Sequence, residues 1–228
     1  AIERLRDEAL VADPGALLVE AAIEGLGVRD ATLARIPDLP ALLGKRRTPF
    51  GATNLTTPEQ SIVARKLGLT YCRQFVNWYD IEPLEGQWKL DGLERAIDAN
   101  NAADLVPWIC LVKPPSWIIP GNLHGAGFEP FPFHRDKWAR AATHLARTFK
   151  GRIWGFEWLN EIVPGKKTPT PERDYIEFAA IGTKAAKAVD PAFKIQMAGG
   201  LWPRNFRTDL LALGLAEHVD VLPVHYSN

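Results

Sequence analysis

From Arg47 onward the chain alternates short β-type runs with amphipathic helical stretches. That rhythm constrains the fold more than any other feature, because a strand returned to its starting end by a helix can pair only in parallel with the next. Predicted strands cover Thr48 to Asn54, Thr70 to Trp78, Leu105 to Val112, Ile153 to Glu161, Lys194 to Gly199 and Val219 to Tyr226. The intervening helices carry their own punctuation. Thr57-Pro58-Glu59-Gln60 reads as an N-cap, a first-turn proline and a capping-box partner, and Gly68 stops that helix. Leu93, Ala96 and Ile97 mark the second helix. Trp138, Ala142, Leu145 and Phe149 mark the third, closed by Gly151. Thr170-Pro171-Glu172 repeats the cap signal ahead of Tyr175, Phe178, Ala185 and Val189, and Asp190-Pro191 ends that helix. A further helix is expected from about Phe206 to Ala216. Residues 1–46 lack this rhythm and read as a helical N-terminal extension, leaving 47–228 as the α/β domain.

Composition narrows the function. Twenty-seven basic residues balance twenty-seven acidic ones, and no basic cluster exceeds Lys45-Arg46-Arg47, so nucleic acid is not an expected partner. The longest apolar run, Leu105 to Val112, is far shorter than the roughly 18 residues of a membrane helix, so no span is expected. Cys72 and Cys110 sit in apolar runs without CxxC or Cys/His spacing and are expected to be buried free thiols. No charged-then-apolar leader stands at Ala1, which fits both a removed signal peptide and none, so extracellular, periplasmic and cytoplasmic locations stay open. Eight tryptophans supply either core filler or flat platforms for sugar faces.

About six βα units suit either a doubly wound sheet or most of a (β/α)8 TIM barrel, and loop chemistry separates the two. The turn Gly51-Ala52-Thr53-Asn54-Leu55 is no GxGxxG, and no GxxxxGK[ST] follows any strand, which disfavours nucleotide binding. Polar and aromatic residues gather instead at the C-terminal ends of strands: Asn54, then Arg73 and Trp78, then Trp117, then Asn160 and Glu161, then His225 and Tyr226. Barrel enzymes place their sites there. Glu161, at the tip of an otherwise apolar strand, is expected to be desolvated, which favours the protonated form a general acid needs. Asn160 can offer an amide donor to a sugar hydroxyl. Glu157 lies four residues earlier on the same side of the strand, where its charge needs a partner, and Arg73 is the candidate. Trp117 and Trp202 follow strands and are candidate sugar platforms, whereas Trp138 and Trp154 read as core. Lys113-Pro114-Pro115-Ser116-Trp117 must leave the sheet and opens a long loop containing His124.

At Ile153-Trp154-Gly155-Phe156-Glu157-Trp158-Leu159-Asn160-Glu161 the sequence resembles the clan A glycoside hydrolases, (β/α)8 barrels whose fourth strand ends in Asn-Glu. Gly68-Leu69-Thr70 through Arg73 and Trp78 to Ile81-Glu82-Pro83 is similar to the clan's second-strand region. Pro114-Pro115-Ser116-Trp117 resembles its third-strand loop, and Val221 to Tyr226 its sixth strand with a His-Tyr tip. The resemblance implies retaining hydrolysis of β-linked oligo- or polysaccharides, with Glu161 as acid/base; the residues at or after strand ends expected around the substrate are Asn160, Arg73, Trp78, Trp117, Trp202, His225 and Tyr226. No metal and no cofactor is implied. It further implies a nucleophile on a seventh strand, about 5 to 5.5 Å from the acid/base, outside this chain. Two rivals stand beside it. One is a carbohydrate-binding or scaffold protein that kept the fold and lost the nucleophile. The other is a metal-dependent sugar isomerase ligated by Glu161 and His225, against which the other strand tips offer no Asp/Glu/His set.

Overall fold

The computed structural model describes residues 48–120, 131–161, 171–199 and 204–223. The N-terminal extension, His124, Trp202, His225 and Tyr226 therefore lie outside the described residues. Among those described, the alternation in the sequence becomes β1 (Gly51–Thr53), α1 (Pro58–Lys66), β2 (Tyr71–Asn77), α2 (Asp91–Ala102) and β3 (Val106–Val112). It continues with α3 (Arg135–Phe149), β4 (Gly155–Trp158), α4 (Pro171–Val189), β5 (Lys194–Gln196) and α5 (Arg204–Ala212). Local chemistry sets the helix starts. The Gln60 amide donates to Thr57 Oγ1 at 3.3 Å and the Thr57 amide to Gln60 Oε1 at 3.2 Å, closing the expected capping box one residue before Pro58.

All four strand pairings are parallel, and the sheet order is β1-β2-β3-β4-β5, the order of the chain itself. A doubly wound sheet reverses direction at a switch point, whereas strands laid down strictly in sequence are the arrangement of a barrel wall. β2 shows the two faces. Cys72, Gln74 and Val76 are buried under the helices, while Tyr71, Arg73, Phe75 and Asn77 alternate onto the opposite, half-open face. Beneath the helices, Trp138 of α3 stacks on Phe178 of α4 at 4.2 Å and meets Trp158 of β4 edge-on at 5.0 Å. Trp158 in turn stacks on Phe156 at 4.6 Å. Gly182 admits α4 to this cluster, since a Cβ there would stand 2.5 Å from the Trp138 ring.

Three expectations change. Trp154 is half-buried on the open face, in a ring cluster with Tyr71 and Trp108, rather than in the core under the helices. The fourth strand is shorter than Ile153 to Glu161, because Leu159 and Glu161 adopt φ values of 70° and 43°, outside the extended region. The fifth strand likewise ends at Gln196. Of the sixth, the described part is a parallel bridge between Val221 and Gln196. Asp220 anchors it: its carboxylate accepts from the Ile195 amide and from Lys187 Nζ, each at 2.9 Å.

Two stability predictions follow from the β4 and β5 region. A Cβ at residue 155 would fall 1.8 Å from the Lys194 carbonyl oxygen, a backbone atom that cannot yield without parting the strands. Gly155→Ala should therefore destabilise the fold by about 3 kcal/mol in denaturant unfolding. For Asp220, burial favours the neutral acid, but the bonds from Lys187 and the Ile195 amide outweigh it and hold the carboxyl below its ordinary value. A lowered folded-state value gives stability present above the unfolded value and lost as pH falls through the folded one. Asp220→Asn should lower the melting temperature at neutral pH, and the difference from wild type should vanish well below about pH 4.

Candidate active site

Strand alternation places Arg73 of β2, Cys110 of β3 and Glu157 of β4 on the open face. Glu157 is fully buried, and a carboxylate there requires a cation. Arg73 supplies it in fork geometry: Nε donates to Oε2 and Nη2 to Oε1, both at 2.8 Å. This is the pairing anticipated from the spacing of Glu157 and Glu161. Nη2 also donates to Asn160 Oδ1 at 2.8 Å and lies 3.1 Å from Cys110 Sγ. Burial works against the charge on Arg73, but the bonds and charge of Glu157 outweigh it and raise the guanidinium above its ordinary value, so the cation is permanent. Burial, reinforced by the Glu157 charge, pushes the Cys110 thiol well up and keeps it neutral. Cys72, on the helix side, is raised by burial to about 11. Both cysteines are free and buried.

The network decides how Asn160 is presented. Its carbonyl oxygen is consumed by Arg73, its side chain is almost wholly buried, and no described residue accepts from its Nδ2. The amide nitrogen is thus the polar atom of Asn160 with no described acceptor. Glu161 follows directly, with its backbone amide bonded to the Gly199 carbonyl at 2.6 Å beyond β5. Its side chain is exposed, so the enclosure expected from an apolar strand tip is not present. Leu159 and Glu161 have left-handed φ values, so the tip departs from the extended path of β4. Among the described residues no group of three or more His, Cys, Asp or Glu is placed to hold a metal, and no helix is long and apolar enough to cross a membrane.

Two tryptophans expected on the substrate side make contacts within the protein. Trp78 is 1% exposed, donates from Nε1 to Glu82 Oε2 at 2.9 Å and packs edge-on against Trp117 at 5.6 Å, so its ring serves packing. Trp117 is half-buried, donates to the Glu82 carbonyl at 3.1 Å, and has the Arg140 guanidinium 5.5 Å from its ring centroid. Glu82, itself fully buried, accepts from Trp78, from the Gly86 amide and from Arg140. In the sequence Glu82 stands out only as part of the segment similar to the clan's second-strand region. Its role as the polar hub behind the sheet has no spacing signal. Cys110 was legible as buried, and its place beside Arg73 follows only from register, which sets Cys110 opposite Glu157.

No family model and no curated protein matches the sequence. Solved structures do. The chain is similar to a family 39 glycoside hydrolase from the gut symbiont Bacteroides cellulosilyticus WH2, with a TM-score of 0.58 and 19% identity over 77% of this chain and 37% of that one. It is similar to xylanase B from Clostridium stercorarium F9, with a TM-score of 0.58 and 15% identity over 83% of this chain and 64% of that one. A third is the Pseudomonas stutzeri endoglucanase Cel5A in complex with cellobiose, at a TM-score of 0.54 and 16% identity over 74% and 50% of the two chains. The fold is that of the (β/α)8 glycoside hydrolases. The chain spans 37% to 64% of the lengths of these three structures. In barrel terms Arg73, Glu157 and Asn160 belong to the inner wall, and the Asn160-Glu161 tip stands at the C-terminal end of the fourth strand.

The buried pair generates a double-mutant test. Arg73→Met or Glu157→Leu alone should cost about 3 to 5 kcal/mol in unfolding, because each strands the partner's charge. The double variant should lose clearly less than the sum of the two, and additive losses would refute the coupling.

Proposed function

We propose that this chain contributes the acid/base half of a retaining glycoside hydrolase acting on β-linked oligo- or polysaccharides. What carries the reading is the Asn160-Glu161 pair at the C-terminal end of β4, in a fold shared with a xylanase and an endoglucanase, with Asn160 oriented through Arg73. In this scheme Glu161 protonates the departing glycosidic oxygen and then, as carboxylate, takes a proton from the water that releases the sugar. Asn160 Nδ2 holds a hydroxyl of the sugar ring under attack. Arg73 and Glu157 touch no reacting atom. Arg73, paired with Glu157, holds the Asn160 carbonyl oxygen, which leaves Nδ2 for the sugar. Both Glu157 oxygens are held by Arg73, which removes it as a nucleophile, so the scheme assigns the second carboxylate to a seventh strand that residues 48–223 do not include. His225 and Tyr226 are assigned to the substrate side on the resemblance of their strand end, Trp202 on its place after the fifth strand in the sequence, and Trp117 to the rim of the third-strand loop. A carbohydrate-binding protein on the same fold is the rival outcome.

Glu161→Gln decides between them. In the intact protein it should slow hydrolysis of glycosides with poor leaving groups by about 10² to 10⁴-fold while affecting activated aryl glycosides far less, since the latter need little protonation. Added azide should partly restore turnover of the activated substrates by attacking the glycosyl-enzyme in place of water. Equal losses on both substrate types would remove Glu161 from the acid role, and sugar binding without turnover by the wild type would favour the binding protein.

A further inference from the structure

The parallel ladder between β4 and β5 follows a regular step until its last rung. Register pairs Gly155 with Lys194, Phe156 with Ile195 and Glu157 with Gln196, and the Lys194 amide donates to the Trp154 carbonyl at 3.0 Å. A rung recurs every second residue along a parallel pair, so the Ala198 amide should donate to the Trp158 carbonyl. It does not. The Ala198 amide donates instead to the hydroxyl of Tyr175 at 2.7 Å, and that hydroxyl reaches the Trp158 carbonyl at 3.5 Å. A side chain from α4 has been inserted into the rung.

We propose that Tyr175 is the positioning residue of the Asn160-Glu161 tip, a wedge whose hydroxyl splits the final rung between β4 and β5 and so sets the angle at which β4 ends. The inference rests on the reading of Glu161 as proton donor. The inserted oxygen separates the strands immediately before Leu159, where the chain turns left-handed. Beyond the wedge they are joined again, by the Glu161 amide on the Gly199 carbonyl at 2.6 Å. The tip is therefore suspended between two fixed points. On its other side the Leu159 amide bonds the Leu111 carbonyl of β3 at 3.0 Å, so only the β5 side is adjustable, and Tyr175 occupies it. Tyr175 is fully buried, and burial holds its phenol well above the ordinary tyrosine value, so it remains both donor and acceptor wherever the protein is folded. Phenylalanine would fill almost the same space and leave the Ala198 amide without an acceptor.

The test is Tyr175→Phe in the intact protein, read in two independent ways. Amide hydrogen exchange by NMR should show Ala198 at least about tenfold less protected than in wild type, with Ile109 in β3 unchanged. In kinetics, kcat for substrates with poor leaving groups should fall about tenfold with KM nearly constant, while activated aryl glycosides should be much less affected. A purely structural role would lower both substrate types together. Unchanged Ala198 exchange overturns the wedge, as do equal kcat losses on both substrate types when Glu161→Gln discriminates between them. Should Glu161→Gln fail to discriminate, the proton-donor reading has failed by itself, and the exchange result alone then supports or overturns the wedge. Wild-type protein gives a check free of any folding defect in the variant. A slowly exchanging Tyr175 hydroxyl proton with a cross-peak to the Ala198 amide is expected, and its absence counts against the inserted rung.

Discussion

A carboxylate with no exposed surface lies on the inner wall of this sheet, and the arrangement of β2, β3 and β4 depends on how it is satisfied. Glu157 binds Arg73 across 84 residues of sequence through two bonds of 2.8 Å, spanning the intervening strand. An ion pair of this kind gives little net stability, because desolvating the two charges offsets much of their attraction. Its effect is specificity. A slip of one residue in β2 or β4 would turn one partner to the helix side and leave the other buried alone, so the pair fixes register where apolar packing would tolerate error. The same guanidinium orients Asn160, which makes the geometry of the tip a by-product of register.

Behind the sheet a second buried carboxylate solves the same problem differently. Glu82 collects an indole N–H, a backbone amide and Arg140, and thereby fastens the segment after β2 to α3. Trp78 and Trp117 belong to this structural cluster. Aromatic residues near strand ends therefore include structural ones as well as candidates for the substrate side. Residue type and position do not separate the two. The helical turn at Trp78–Ile81 directs the Trp78 indole into the core, away from the strand tips.

The fold class was legible because parallel order and helix starts are local properties. The Thr57 capping box, the stripe from Trp138 to Phe149 and the strands from Tyr71 and Val106 lie within a residue or a few of their predicted limits. The Arg73 and Glu157 pair was legible for a different reason: period-two alternation puts Glu157 on the side of Glu161, and a buried charge demands a cation. What escaped depends on tertiary placement. Trp154 looked like core filler, yet the face it lies on is the open one. Glu161 looked enclosed because its strand is apolar, but two left-handed residues carry it out of the sheet before enclosure is reached. Tyr175 was visible as one more member of an apolar helical stripe, and nothing in that stripe reports where its hydroxyl ends.

The spacing between β4 and β5 therefore changes along their length, and two residues account for it. At the start of β4 the strands approach so closely that residue 155 has no room for a Cβ against the Lys194 carbonyl. At the end the Tyr175 hydroxyl stands between Trp158 and Ala198. The pair is thus held by close backbone contact at its start and through the Tyr175 hydroxyl at Trp158 and Ala198, before the Glu161 amide rejoins it to Gly199. Leu159 and Glu161 follow that inserted rung with left-handed φ values that regular β pairing forbids. On the reading proposed for Glu161, its exposure then has a physical consequence. The carboxylate stands where a sugar ring can reach it from solvent, so a substrate that covers the tip would itself exclude water from the proton transfer.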